Sequence, residues 1–315
     1  MGGQGESYSY LRPHTWRLTV GYRRLTANDW FVGDQTRPDL VPGGQPLNFA
    51  IHSVDLGVTF AVSDRVNVAI AVPFVSGHFS ANIWPDSLRH TQSASGLGDI
   101  SLVGSVWLLN PSTHANGNIA LGVGVKAATG SNTVSTPYYY SDSVVPFTAH
   151  QGIQPGDGGW GVILQAQAYR KVFTKAFAYF SGSYLISPRA LSGVSARRPG
   201  DLSWSVPDTY SGRLGLAYAL WPDQGISVSL GGRIDGLTVK DLVGGGDDGF
   251  RQPGYVIYVD PGVALTSGRE TFTLSVPVRA HANRLRNTLE WQGGRPGGGG
   301  DFAKVVIFLG YSHQF

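Results

Sequence analysis

Side-chain character alternates with a period of two through nearly the whole chain, and no stretch supplies the continuous apolar run that a membrane-spanning helix requires. Trp16, Leu18, Val20 and Tyr22 alternate with Arg17, Thr19, Gly21 and Arg23; Val54, Leu56, Val58, Phe60 and Val62 alternate with Ser53, Asp55, Gly57 and Thr59. Successive residues of a strand point to opposite faces, so each segment carries one bulky apolar face and one small or polar face. The third segment, with Val66, Val68, Ile70, Val72 and Phe74 on one face, follows the second after only the turn SDR, which predicts a tight hairpin. The pattern recurs over residues 98–108, 119–127, 160–168, 178–186, 210–220, 226–234, 255–265, 272–280 and 303–315, giving twelve segments. Most are close to the roughly 9–11 residues that a tilted strand needs to cross a bilayer. The most apolar stretches, NVAIAVPFV and VVIFLGY, fall far short of the roughly 20 residues of a spanning helix.

These features predict an all-β fold: a transmembrane antiparallel up-and-down β-barrel of about twelve strands, one domain over residues 1–315. Composition agrees. Charged residues make up only 14% of the chain, which is sparse for a soluble surface, while glycine is abundant at 44 residues. Cysteine is absent, which excludes disulfides, thiolate metal sites and haem attachment. A formal charge of +3, scattered rather than massed, gives no reason to expect nucleic acid.

Connections alternate in length. The short set is SDR, NPSTHAN, FTK, PDQ and SGR; the long set covers residues 26–47, 82–96, 130–157, 188–208, 238–253 and 284–300. Barrels of bacterial outer membranes have short periplasmic turns and long extracellular loops, so both termini, including residues 1–14, are expected in the periplasm. Trp16, Phe60, Tyr218, Trp221, Phe272, Tyr311 and Phe315 fall near the short-turn ends of outward faces, and Tyr22, Trp160, Tyr210 and Tyr255 near the other ends. Two such girdles match the two headgroup levels of a bilayer. The N-terminal MGGQGESYSYLRPHTW has neither a basic nor an apolar export region and reads as a mature form.

With the bulky faces in lipid, the other faces line a lumen whose ionisable residues are Arg17, Arg23, Asp55, Asp99, Lys126, Arg213, Arg233, Asp235, Asp260, Arg279, His281 and Lys304. Arg or Lys on the lipid face costs roughly 2–4 kcal/mol at the midplane, so their segregation supports the assignment. One reading is a polar, mildly cationic channel; the other is a narrow barrel in which Arg213 or Arg279 bridges Asp55 or Asp260 and fills the interior. Twelve strands lie between filled eight-stranded barrels and open sixteen-stranded porins. Tyr138, Tyr139 and Tyr140, in the third long loop, are candidates for a constriction, a docking patch or a stacking surface.

Val305, Ile307, Leu309, Tyr311, His313 and the terminal Phe315 share one face. This resembles the outer-membrane assembly signal, which implies the barrel assembly machinery as a partner; His313 departs mildly from that pattern. GLGDISLVGSVWLL (96–109), TFTLSVPVRAHANR (271–284) and the closing strand resemble the outer-membrane transporter family associated with phenol-degradation (meta-pathway) clusters. That resemblance implies passive uptake of small molecules, aromatic ones among them, and it designates no substrate residue. Outer-membrane lipid and lipopolysaccharide are the expected surroundings.

Other chemistry is weakly supported. GHFSAN places His78 and Ser80 on the lipid-facing side of the third strand, with Asn82 as the nearest orienting group, a minimal arrangement for a lipid hydrolase. GGGDDGF, with Asp247 and Asp248, lacks the spaced ligands of a calcium loop. LGVGVKAATGS around Lys126 lacks the GK[ST] of a phosphate loop. The eight histidines show no close ligand pair. Neither an enzyme, a metal nor a cofactor is expected.

Overall fold

The computed structural model describes residues 10–244, 249–294 and 299–315. The alternating segments form one closed antiparallel barrel. Its strands are β1 (Trp16–Ala27), β2 (Asn48–Ala61), β3 (Val66–Ala81), β4 in two pieces (His90–Leu97 and Ser101–Trp107), β5 (Gly117–Lys126), β6 (Gly161–Phe173), β7 (Ala176–Ile186), β8 (Thr209–Trp221), β9 (Ile226–Leu237), β10 (Gly254–Ser267), β11 in two pieces (Glu270–Ser275 and Val278–Arg284) and β12 (Val305–Gln314). Each pairs with its sequence neighbour, and β1 closes the ring on β12 with Arg17 opposite Gln314 and Thr26 opposite Val305. Closure satisfies the outer hydrogen-bonding rows of the first and last strands, the condition for crossing lipid with strands.

The exposed face is apolar: Leu56, Ile70, Phe74, Leu121, Val123, Leu214, Leu216, Leu230, Val259 and Leu309 all stand open on the outside of the barrel. That is the reverse of a water-soluble barrel and the expected surface of one that sits in hydrocarbon. Trp16 packs on Phe60 with centroids 4.3 Å apart and Phe272 on Tyr311 at 5.1 Å, at the rim that carries the short turns. The segment before β1 returns to this same rim, where His14 N–H bonds the carbonyl of Ala61 at 2.7 Å and Tyr10 Oη bonds Asp64.

Two strands break at proline. Pro73 in β3 has no N–H to give the ladder, and the facing strand is interrupted at residues 98–100, with Gly98 N–H on the Pro73 carbonyl at 2.7 Å. The gap turns Asp99 inward. Pro277 interrupts β11, and a register shift between the Ile257 and Tyr258 pairings follows it. That shift corrects one expectation: His281 lies opposite Ile257 with its exposed ring against Tyr255, on the outer face rather than in the lumen, and the buried Arg284 takes the inward parity.

Residues 90–96, expected within a long loop, belong to a strand piece that runs from His90 to Leu97. Their outward residues, Thr91, Ser93 and Ser95, pair with Ser80, His78 and Ser76. Beyond Phe74 and Leu97 the outward face of this hairpin is polar, so a template that seeks an apolar outward face cannot detect it. Asp247 and Asp248 lie outside the described residues.

In the short turn between β8 and β9, Gly225 adopts φ +71°, and a Cβ there would sit 1.8 Å from the Thr266 carbonyl oxygen. Gly225→Val is expected to destabilise the barrel by at least about 1–3 kcal/mol from the backbone conformation alone. The denaturant midpoint of the heat-modifiable band reports it; an unshifted midpoint would show that the turn rearranges freely.

Candidate functional site

The inner wall of β8–β11 carries a row set by register alone: Arg213 lies opposite Arg233, Arg233 opposite Tyr258, and Tyr258 opposite Arg279. Three guanidinium groups and a phenol therefore stand side by side across four strands. Like charges so close require counter-charges. Arg213 Nε donates to Asp260 at 2.6 Å, Arg233 grips Asp235 through two nitrogens at 2.8 and 2.9 Å, and Arg279 pairs with Asp29 while donating to the Phe302 carbonyl. Each guanidinium also lies over a ring: Arg213 over Tyr179 at 5.8 Å, Arg233 over Phe308 at 4.5 Å and Arg279 over Phe31 at 4.8 Å. Such stacking fixes the planar group while leaving its edge for carboxylates. Asp260, fully buried, accepts a second bond from Ser275 Oγ.

The remaining candidates divide. Arg23 joins this bulky wall, opposite Phe308 on one side and Ser53 on the other; Ser53 Oγ donates to Asp55 at 3.1 Å. Arg17 faces inward lower down, opposite Thr59 and Gln314. Lys304 is more than half exposed and pairs with Asp29 at 3.1 Å. Lys126 and Asp99 are tied to the base of the third long loop: Lys126 Nζ donates to Asp99 at 2.9 Å, to Asp157 at 2.5 Å and to the Gly159 carbonyl at 2.7 Å, and Asp99 accepts from Gly130 N–H at 2.9 Å. Asp29 is the counter-charge that the strand pattern could not supply, because it comes from a loop. Near it, burial and the Asp29 charge push the Asp301 carboxyl up to about 7.

The opposite wall is small at mid-barrel, where Gly57, Ala69, Ala71, Gly122, Gly124, Gln165 and Ser181 point inward and each is partly open to solvent. Larger inward residues stand among and below them: Val103 beside Gly122 and Gly124, Tyr179 under Arg213, and Trp107 against Tyr169 at 5.8 Å near the short-turn end. Phe308, Tyr258 and the paired arginines fill the side of β9–β12.

The long loops fold over one end of this space. Phe31 bridges to Gly300, Gly33 to Arg284 and Trp204 to Phe250, joining loops far apart in sequence. From the third loop, buried Ile153 lies against Gly77 on the inward face of β3, so close that a Cβ on Gly77 would be 2.6 Å from it. His150 precedes it, its ring set among Phe49, Phe79 and Trp204 with centroids 5.8, 4.7 and 5.0 Å away. Its Nδ1 accepts from Gly152 N–H at 3.1 Å, and burial lowers its pKa to about 4. Tyr138, Tyr139 and Tyr140 occupy a hairpin of the same loop. Tyr138 is buried beside Tyr140 and Phe147, and Tyr139 stacks on His90 at 3.5 Å. They brace the hairpin against the ends of β3 and β4, and residues 149–156 reach further down the barrel wall, to Gly77. Nothing in the local sequence singles out His150 or Trp204, because their neighbours come from distant loops. Phe308 was detectable, since VVIFLGY is apolar on both faces where one should be small.

His78 and Ser80 do not form a dyad. His78 Nδ1 shares a hydrogen bond with Ser93 Oγ at 2.9 Å, and Ser80 Oγ accepts from Arg89 at 3.0 Å.

This geometry defines a class of protein: a twelve-stranded outer-membrane-type barrel with a charge-paired inner wall and a capped mouth. An outer membrane channel from Pseudomonas putida F1 has a similar structure, with a TM-score of 0.67 at 14% identity over 100% of both chains. Looser overlaps occur with the monoaromatic hydrocarbon channel CymD (TM-score 0.47, 9% identity, 97% of this chain and 89% of that one) and with the translocator domain of the autotransporter NalP from Neisseria meningitidis (TM-score 0.48, 13% identity, 96% and 88%). No protein-family model and no curated protein sequence matches the chain. What these overlaps share with the chain is the fold.

Removing one member of the buried Arg213–Asp260 pair should be costly. Asp260→Ala is expected to lower unfolding free energy by about 3–5 kcal/mol, and Arg213→Leu with Asp260→Leu to recover most of it. Equal losses in the single and double variants would show that the pair is solvated rather than buried.

Proposed function

We propose that the protein is an outer-membrane channel for passive diffusion of small polar or aromatic solutes, with the short-turn rim and both termini in the periplasm. The observation that carries this reading is the mid-barrel stretch of small, partly solvent-accessible inward residues on β2–β7 inside a sealed barrel with an apolar exterior. The aromatic part of the solute range follows the resemblance to the transporters of phenol-degradation clusters. Arg17, Arg23, Asp55, Arg213, Arg233, Asp235, Asp260 and Arg279 set the field along the path. Lys126, Asp99 and Lys304 act by holding the loops, with Tyr138, Tyr139 and Tyr140 bracing the inward segment that narrows the mouth.

Planar-bilayer recording tests the proposal: discrete conductance steps from refolded protein are expected, and silence from a folded barrel would overturn it. Arg213→Gln with Arg279→Gln leaves Asp260 and Asp29 without their guanidinium partners, so the reversal potential should move towards cations; an unmoved potential would take both residues out of the path.

His150 provides a pH test. Its pKa in the packed mouth is depressed, so the open mouth binds more protons as pH falls below about 6.5 towards 4. Acidification across that window therefore weakens loop packing and should raise open probability, and His150→Phe should abolish the dependence. A pH response that survives the substitution would assign it elsewhere.

A further inference from the structure

The outer wall is not uniformly convex. An apolar groove of about 460 Å³ runs along β10, β11, β12 and β1, lined by Val20, Val263, Leu265, Phe272, Leu309 and Tyr311. A second groove, of about 430 Å³ and lined by Trp16, Leu18, Val58 and Phe315, lies on the other side of the closing strand's end. Between them stands His313, which register places opposite Leu18 of β1 on one side and Glu270 of β11 on the other. His313 Nδ1 and Glu270 share a hydrogen bond at 2.5 Å, and Tyr311 also hydrogen-bonds that carboxylate.

A carboxylate on the lipid-facing parity is costly anywhere but at the headgroup level. Glu270 is there: it is the first residue of β11, at the rim of the Trp16–Phe60 and Phe272–Tyr311 rings, two residues rimward of Phe272 in the groove. Exposed Arg269 adjoins it in the turn. The arrangement has the polarity of a phospholipid: apolar grooves of acyl character flank the pair, and a carboxylate sits at the level where a headgroup ammonium would lie.

We propose that this rim is a specific binding site for one phospholipid with a primary-amine headgroup, that is, a phosphatidylethanolamine. A primary ammonium can donate hydrogen bonds to Glu270; a quaternary ammonium cannot, and a headgroup with no cation offers the carboxylate no counter-charge. The site lies in whichever leaflet meets the short-turn rim, on the outside of the barrel, and its occupancy does not depend on conduction through the lumen.

The test is native mass spectrometry of the full chain extracted from nanodiscs of equimolar phosphatidylethanolamine, phosphatidylglycerol and phosphatidylcholine. One bound lipid is expected, with phosphatidylethanolamine retained severalfold over the other two. Glu270→Gln should remove the preference among headgroups, whereas Leu309→Trp, which fills the first groove, should reduce retention of all three. The heat-modifiable band certifies folding of each variant. Equal retention of the three lipids by the unsubstituted protein, no retention at all, or an unchanged preference in folded Glu270→Gln would each overturn the proposal.

Discussion

Every part of this molecule depends on the hydrogen-bonded seam between β1 and β12, where Arg17–Thr26 run against Gln314–Val305. A sheet in hydrocarbon has no water to satisfy an open edge, and each unpaired amide there costs several kcal/mol. Closure removes the edge and simultaneously creates two unlike surfaces, one facing lipid and one enclosing a lumen. The period-two pattern is the record of that division in the sequence.

Closure also dictates where charge goes. With the outside given to Leu, Val, Ile and aromatic rings, the polar wall carries its arginines in a register row from Arg213 through Arg233 to Arg279. A row of like charges at cross-strand spacing repels itself, so each guanidinium is held by a carboxylate and laid over an aromatic ring. The pairing concentrates bulk on β9–β12, while small residues predominate at mid-barrel on the facing strands. An asymmetric lumen is the structural basis of the proposed conduction, and the inward fold of residues 149–156 decides how wide its mouth stands.

The loops follow a different logic. They obey no membrane period, and their order comes from cross-loop contacts: Lys126 holding Asp99 and Asp157, Trp204 meeting His150 and Phe250, and Arg251 pairing with Asp241. Where a barrel strand rises past the apolar belt, as β4 does over residues 90–97, it also escapes the pattern, since its outward face turns polar.

The sequence by itself determined the class of fold, the number of strands, the alternation of short and long connections and the inward parity of Arg17, Arg23, Asp55, Arg213, Arg233, Asp235, Asp260 and Arg279, because all of these follow from a local repeat of two. It misplaced His281, because the register shift in β11 after Pro277 inverts that parity without a local signal. Only the tertiary structure decided which carboxylate meets which guanidinium, that Asp29 enters the wall from a loop, that Lys126 anchors the mouth, and that Glu270 and His313 meet between two grooves. Those pairings join residues up to 250 positions apart, and their partners are chosen by strand register and loop packing, which no short window of sequence contains.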